Sequence, residues 1–408
     1  MNVSKDGLEH ELELSEFVVT DRKSLPGRGI LYSVESAVKP PCPACKFANM
    51  TQHGSSVKYY HDLPKFGRRV VLKVTKRRYI CPECGTTTTD VFKSLADGAM
   101  TNRLREYIKA ETLFYPMPAL CKKYDLPQTT VYRLFNEKIK SYEGYYIPMM
   151  PSKLCIAAMQ SNAGGITLFI DPSNGHIIEV SADQKQLSVR KKLHNFFHVE
   201  DCGLAIIDLH DNYLAALQAV IPKAVVITDK VFIQREFLQV YRKTREEICQ
   251  PIKASKNRIF RIRASLLDPP ALSLGAKKQK ELTSLLDQFP ELRPSYTAKE
   301  AFLKILEMKD KGQAVQAYHD WQNKCRNTKV KFDEFWDMAE SWKDVILNTF
   351  DYEDNVLCDH IRSAEALAMD IDKESGGYSF EALRGKLVYR WKEDKPTDVL
   401  YDLDALQE

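Results

Sequence analysis

The sequence predicts a multi-domain α/β chain, and three observations carry that prediction. Two CxxC pairs flank a stretch of β-type alternation. Two short helical runs then follow around a tight break. Beyond them come hairpin-like strands, a strand–helix–strand run and a long, mostly helical stretch from Lys230 to Phe350. The length of 408 residues suits two or three domains. Hydrophobic residues make up 44%, enough for real cores, which argues against dominant disorder.

The first element is the pair Cys42-Pro-Ala-Cys45 and Cys81-Pro-Glu-Cys84. Each knuckle offers two thiolates from one turn, and zinc takes four soft ligands at tetrahedral corners. Such a metal is structural, because no coordination position stays open. The plain alternative is two unrelated cysteine pairs or a redox CxxC, which rarely comes as a matched couple. His53 and His61 read as ordinary surface histidines. The interval between the knuckles has room for a hairpin: a strand over residues 57–63, a turn over 64–67, and a strand over 68–79. In the second strand the alternation of Val70, Leu72 and Val74 with Lys73 and Lys76 gives one basic face. The expected element is a zinc ribbon-like module at 41–95, after an N-terminal extension at 1–40.

The whole chain carries only +4, with 59 basic and 55 acidic residues, so total charge does not point to nucleic acid. Distribution does. From Lys58 to Lys109 twelve Lys and Arg face five acids, an excess fit for phosphate contacts, with Arg77 and Arg78 as candidates. Residues 1–40 are polar, without the apolar core of a signal, and no apolar run is long enough to span a bilayer. Ten cysteines in this length suit a reducing cytoplasm with one metal site; Cys121, Cys155, Cys202, Cys249, Cys325 and Cys358 read as inert thiols.

A helix N-capped by Thr101 is expected next, then a short one over 118–124. A break at Asp125-Leu126-Pro127 precedes a helix from Gln128, with Val131, Leu134 and Phe135 at apolar spacing. This is the order of a helix-turn-helix, expected at 100–145, whose second helix reaches base edges with its first turns. Gln128, Thr129, Thr130 and Arg133 are the candidate readers. The bland alternative is a helical hairpin in a core.

Strands are expected at 154–159, 165–170 and 176–181, the last two joined by a turn at 171–175. A strand at 204–207 ends in Asp208, a helix covers 212–220, and a strand at 224–228 ends in Asp229. That is the strand order of an RNase H-like core, which sets carboxylates at strand ends where two divalent metals can be held. The core is expected over 152–408, with a large helical insertion at about 235–350.

In this order the pieces resemble the ISL3-type insertion-sequence transposases, over roughly residues 41–390. The resemblance rests on the two CPxC knuckles, Asp62-Leu63-Pro64, and the run Arg77-Arg78-Tyr79-Ile80 before the second knuckle. It also rests on the Asp208–Tyr213 and Ile221–Asp229 segments, and on the run from Gly377 through Tyr378 to Arg384. It implies a bacterial, cytoplasmic, nucleoid-associated protein that binds the terminal inverted repeats of double-stranded DNA, as a homodimer, off the membrane. It implies strand cleavage and transfer by an Asp, Asp, Glu triad around magnesium or manganese, with structural zinc in the front end.

The implied first aspartate falls on Ala157 and Ala158. The second falls on Asp208. The third falls on Asp359 or Glu365, a gapless count landing on Arg362 between them. The implied Asp-x-Phe-His stretch is Asp229-Lys-Val-Phe232 and lacks its histidine. Asp171 is expected to serve the turn before Pro172, the other reading being a substitute first acid. A methyl group cannot ligate a metal, so the expected active site is degraded. Two functions follow: a DDE-type transposase of doubtful competence, or an inactive, sequence-specific DNA-binding protein or regulator derived from one.

Overall fold

The computed structural model describes residues 12–26, 29–65, 67–96, 98–254, 264–328, 330–352, 355–374 and 377–396. Gly376 and the side chain of Cys358 lie outside them. The chain divides into two compact units, one of residues 1–146 with 389–408 and one of residues 147–388. The fold class is the α/β, multi-domain one expected, with the cysteine module at the front.

The first unit is built on a sheet in the order β1-β2-β4-β3-β7-β6. Strands β3 (Thr51–Lys65) and β4 (Arg68–Ile80) form the expected hairpin, longer at its start than the alternation indicated. Val70, Leu72 and Val74 turn inward with Tyr60. Strands β1 (Phe17–Leu25) and β2 (Gly29–Ser36) arise in the stretch read as an extension, and β2 pairs parallel to β4. Their Phe17, Val19, Ile30, Tyr32 and Val34 complete the core. Short strands β5 (Thr87–Thr89), β6 (Leu95–Ala96) and β7 (Met100–Thr101) close the module.

Three helices follow: α1 (Asn102–Glu111), α2 (Met117–Tyr124) and α3 (Gln128–Glu143). The Thr101 hydroxyl caps α1 by accepting from the Leu104 N–H. Between α2 and α3 the chain turns at Asp125, whose φ of 54° lies in the left-handed region, and Pro127 starts the next helix. Buried Glu111 ties α1 to α2 by accepting from the Tyr124 hydroxyl at 2.6 Å and the Lys123 ammonium at 2.7 Å. Residues from Tyr389 onward pack on this trio: Tyr389 stacks on Tyr142, and Glu393 accepts from Lys138 and Tyr142.

The second unit has a five-stranded sheet in the order β10-β9-β8-β11-β12. Strands β8 (Lys153–Ser161), β9 (Gly164–Asp171) and β10 (His176–Ser181) form an antiparallel meander. Strands β11 (Leu204–Ile207) and β12 (Val225–Ile227) run parallel to β8, joined by α5 (Asp211–Val220). Helix α4 (Gln186–His194) and α5 cover one face, where Val189, Leu193, Tyr213 and Leu217 bury Leu154, Ile156, Phe169, Ala205 and Ile207.

The helical insertion runs through α6 (Lys230–Ala254), α7 (Ala276–Gln288), α8 (Arg293–Leu306), α9 (Lys311–Asn327), α10 (Asp333–Ser341) and α11 (Lys343–Thr349). Phe237, Phe302, Trp321, Phe332 and Phe335 form its aromatic centre, Phe237 and Phe302 lying 4.2 Å apart. The chain then returns through α12 (Asn355–Lys373), which lies against β8 and β9, and ends this unit with α13 (Phe380–Tyr389). Arg384 of α13 grips buried Glu179 of β10 with two hydrogen bonds, at 2.7 and 2.9 Å. That grip accounts physically for the arginine of the C-terminal run.

Candidate functional sites: an acid pocket, a thiolate cluster and a helix face

The sheet of the second unit sets up the first site. Ile207 of β11 pairs with Ile156 of β8, so the next residue, Asp208, comes beside Ala157. Asp208 is buried, and its Oδ2 accepts from the Ala158 N–H at 2.8 Å. Strand alternation puts Ala205 and Ile207 into the core under α4 and α5, so Asp208 projects from the opposite face. Helix α12, which lies against β8 and β9, brings Glu365 within electrostatic reach of Asp208.

Asp208 follows β11 directly and Asp229 follows β12 after Thr228, so both acids lie just beyond the carboxyl ends of adjacent parallel strands. Asp229 is buried and caps α6, accepting from the Val231 N–H at 2.8 Å. From α12, Glu365 reaches the electrostatic range of both. Burial first, then the charges of Asp208 and Asp229, push the Glu365 carboxyl up to about 7, against the opposing pull of Arg235 and Arg362. Burial likewise raises the Asp208 carboxyl, with Arg235 opposing it.

Asp208, Asp229 and Glu365 therefore gather, and Ala157 stands beside them where an acid is expected. Asp359 does not join them; it is exposed and pairs with Arg362 at 3.5 Å. Asp171 serves its turn, accepting from the Ser173 N–H and the Asn174 amide. Sequence reasoning did not single out Arg235, whose Nη2 lies 3.3 Å from Oδ2 of Asp208. Its guanidinium rests 4.9 Å from the Phe232 ring centroid, and Phe232 holds the position where the resemblance implies histidine.

A divalent ion fits this pocket poorly. A two-metal centre needs carboxylates converging on shared ions. Among the described residues, the four cysteines are the group of three or more ligand atoms lying within 4.8 Å of one another. The acids are not drawn that close, and Ala157 offers a methyl. Asp208 keeps one buried oxygen, Oδ1, without a hydrogen-bond partner, which is a single ligand atom and not a cage.

The thiolate cluster fits zinc well. Sγ of Cys42 lies 3.5 Å from that of Cys84, and Sγ of Cys45 lies 3.5 Å from that of Cys81. A zinc tetrahedron with Zn–S near 2.3 Å sets sulfurs about 3.8 Å apart. The two knuckles match: the Lys46 and Gly85 N–H groups bond back to the carbonyls of Cys42 and Cys81, and both residues take positive φ. The Thr86 hydroxyl, with backbone help, lowers the Cys84 thiol to about 6. The Cys45 backbone N–H lowers Cys42. At Cys45 the Phe47 N–H pulls downward, but the neighbouring thiols and burial win and push it up to about 12. A dication bound by all four sulfurs would take them as thiolates and release their protons. The other described cysteines are buried or half-buried, and burial raises Cys121, and takes Cys202 and Cys325 to about 11.

The third site is the outer face of α3. Gln128, Thr129 and Arg133 are exposed and Thr130 is half-buried, while Val131, Leu134, Phe135 and Ile139 face inward. One, two and three turns on from Thr129 the same face adds Tyr132, Asn136 and Lys140, which line a surface concavity with Arg133. The 3.6-residue period could have found them. Arg78 is exposed on β4. Arg77 is not: it bonds Asp90 and the Ser36 carbonyl at 2.7 Å, bracing the module. The family-like Asp62 is a brace too, accepting from the Thr101 hydroxyl at 2.6 Å and from the Arg103 guanidinium.

Comparison with known proteins agrees with this arrangement. Residues 156–382, more than half of the chain, match the ISL3-type DDE family model described as a transposase. Residues 39–84 match a second model, the zinc-finger of transposase IS204/IS1001/IS1096/IS1165. No curated protein matches the chain.

Proposed function

This chain belongs to the ISL3 transposase family, and from that membership we propose that it binds transposon-end DNA without cutting it. The carrying observation is Ala157, a methyl beside Asp208 in the acid pocket. Phosphoryl transfer by this family's core relies on divalent metal to stabilise charge and activate the attacking oxygen. Without the first carboxylate, Asp208, Asp229 and Glu365 do not bring three ligand atoms close enough for a shared-ion centre among the described residues. Asp359, exposed and paired with Arg362, has no part in this reading.

Binding is carried by the first unit. Zinc held by Cys42, Cys45, Cys81 and Cys84 would fix the base of the β3–β4 hairpin. The α3 face would enter the major groove, with Gln128, Thr129, Thr130, Arg133 and Asn136 at base edges. Arg78 and Lys140 would contact phosphate. Arg77 would hold the module together. A homodimer matches the two-fold symmetry of inverted repeats.

The test is binding of duplex DNA carrying the ends that flank the gene, against scrambled duplex, across a salt series. Arg133→Ala should lose about 1–3 kcal/mol on end DNA and little on scrambled DNA, while Arg78→Ala should weaken both and flatten the salt slope. Equal binding of end and scrambled DNA by the unaltered chain would sink the end-binding reading.

A further inference from the structure

The acid pocket already contains a cation. We infer that Arg235 occupies, at Asp208, the electrostatic place of a divalent metal, so that the pocket is balanced by protein charge and resists metal. This rests on the reading that the pocket no longer cuts DNA, and it names what replaced the metal.

The geometry carries it. Arg235 lies one turn into α6, whose first turn is capped by Asp229. That start point aims the guanidinium back over the strand ends, where Nη2 meets Oδ2 of Asp208 at 3.3 Å. The Phe232 ring beneath it supplies a platform, and a cation over an aromatic face is held by the ring quadrupole. Arg235 also reaches Glu236 at 3.6 Å, which fixes its other edge. Among the described residues, the charged groups acting most strongly at the spot are Asp208, Asp229, Glu236 and Glu365, which are acidic, and Arg235 and Arg362, which are basic.

A second cation placed at Oδ1 of Asp208 would meet the guanidinium at close range; Asp208 is buried and Arg235 exposed, so solvent screens the repulsion only in part. Removing Arg235 leaves Asp208, Asp229, Glu236 and Glu365 opposed by Arg362 alone, which makes the potential a dication meets at Asp208 more negative. An arginine merely bracing α6 would leave metal affinity unchanged.

The experiment is a titration of the zinc-loaded full chain with Mn²⁺, followed by loss of the free-ion electron paramagnetic signal and by the melting temperature. Three proteins are compared: unaltered, Arg235→Ala and Arg235→Lys. The expected result is at least tenfold tighter Mn²⁺ binding by Arg235→Ala, with a melting temperature that rises with Mn²⁺. The unaltered chain and Arg235→Lys, which keeps the charge, should respond alike and weakly. Equal Mn²⁺ response in the unaltered chain and Arg235→Ala would overturn the inference. If Arg235→Ala is too unstable to titrate even with Mn²⁺ present, the ion does not stand in for the guanidinium, and the inference falls as well. Cutting of DNA by the unaltered chain is a separate readout. It would end the non-cutting reading, while the titration alone decides the role of Arg235.

Discussion

At Glu365 three influences meet, and their balance sets a pH dependence. Burial and the carboxylates of Asp208 and Asp229 lift its proton affinity to about 7, against 4.5 for a free side chain. The folded state therefore holds this proton more tightly than the unfolded one. Stability from it is fully present below about pH 4.5 and is lost as pH rises to about 7. Glu365→Gln removes that loss. The variant should match the unaltered chain in urea at the acid end and exceed it increasingly up to pH 7, the gap then levelling off. A gap that does not change with pH would contradict the crowding of acids around Glu365. At this scale the sequence was partly readable: Ala157 and Asp208 follow from strand ends and motif order. Arg235 does not, because its meaning depends on where α6 begins and on the ring of Phe232 one turn back.

Among the elements, the hairpin β3–β4, the helix trio and the strand order of the second unit were legible, since each has a local period or cap. The hairpin β1–β2 was not. A bulge between Val19 and Asp21 breaks its alternation, and its partner β4 lies far along the chain. The zinc site was visible in spacing alone, as two knuckles need only be matched and brought together by the hairpin between them. Helix α13 illustrates a dependence that only packing reveals. Its Arg384 neutralises Glu179, which is almost fully buried and is also reached by Lys192 at 3.3 Å. Removing one partner of such a pair leaves a buried charge, at a cost of about 3–5 kcal/mol. Arg384→Met should lower stability by that order, and Glu179→Leu added to it should recover much of the loss. Urea unfolding of both variants checks this; a double variant as weak as the single one would place the arginine's role elsewhere.

For the whole molecule, the proposed function assigns DNA binding to the first unit and the chemically incomplete acid pocket to the second. The first holds the thiolate cluster and the α3 face, and neither needs the acid pocket to be chemically complete. The second keeps the transposase sheet and two of the expected acids at its strand ends and on α12, with Ala157 where a third is implied. No helix among the described residues is long and apolar enough to cross a membrane. The near balance of charge over the whole chain conceals the basic stretch from Lys58 to Lys109, so the proposed DNA affinity rests on the first unit rather than on the total. The most direct measurement is Mg²⁺- or Mn²⁺-dependent cleavage of duplex DNA carrying the flanking ends, with the unaltered chain beside Asp208→Asn. A pocket lacking its first acid predicts a shifted but uncut duplex with both proteins. Cleavage by the unaltered chain that disappears in Asp208→Asn would contradict it, and would show that another acid serves as the first ligand.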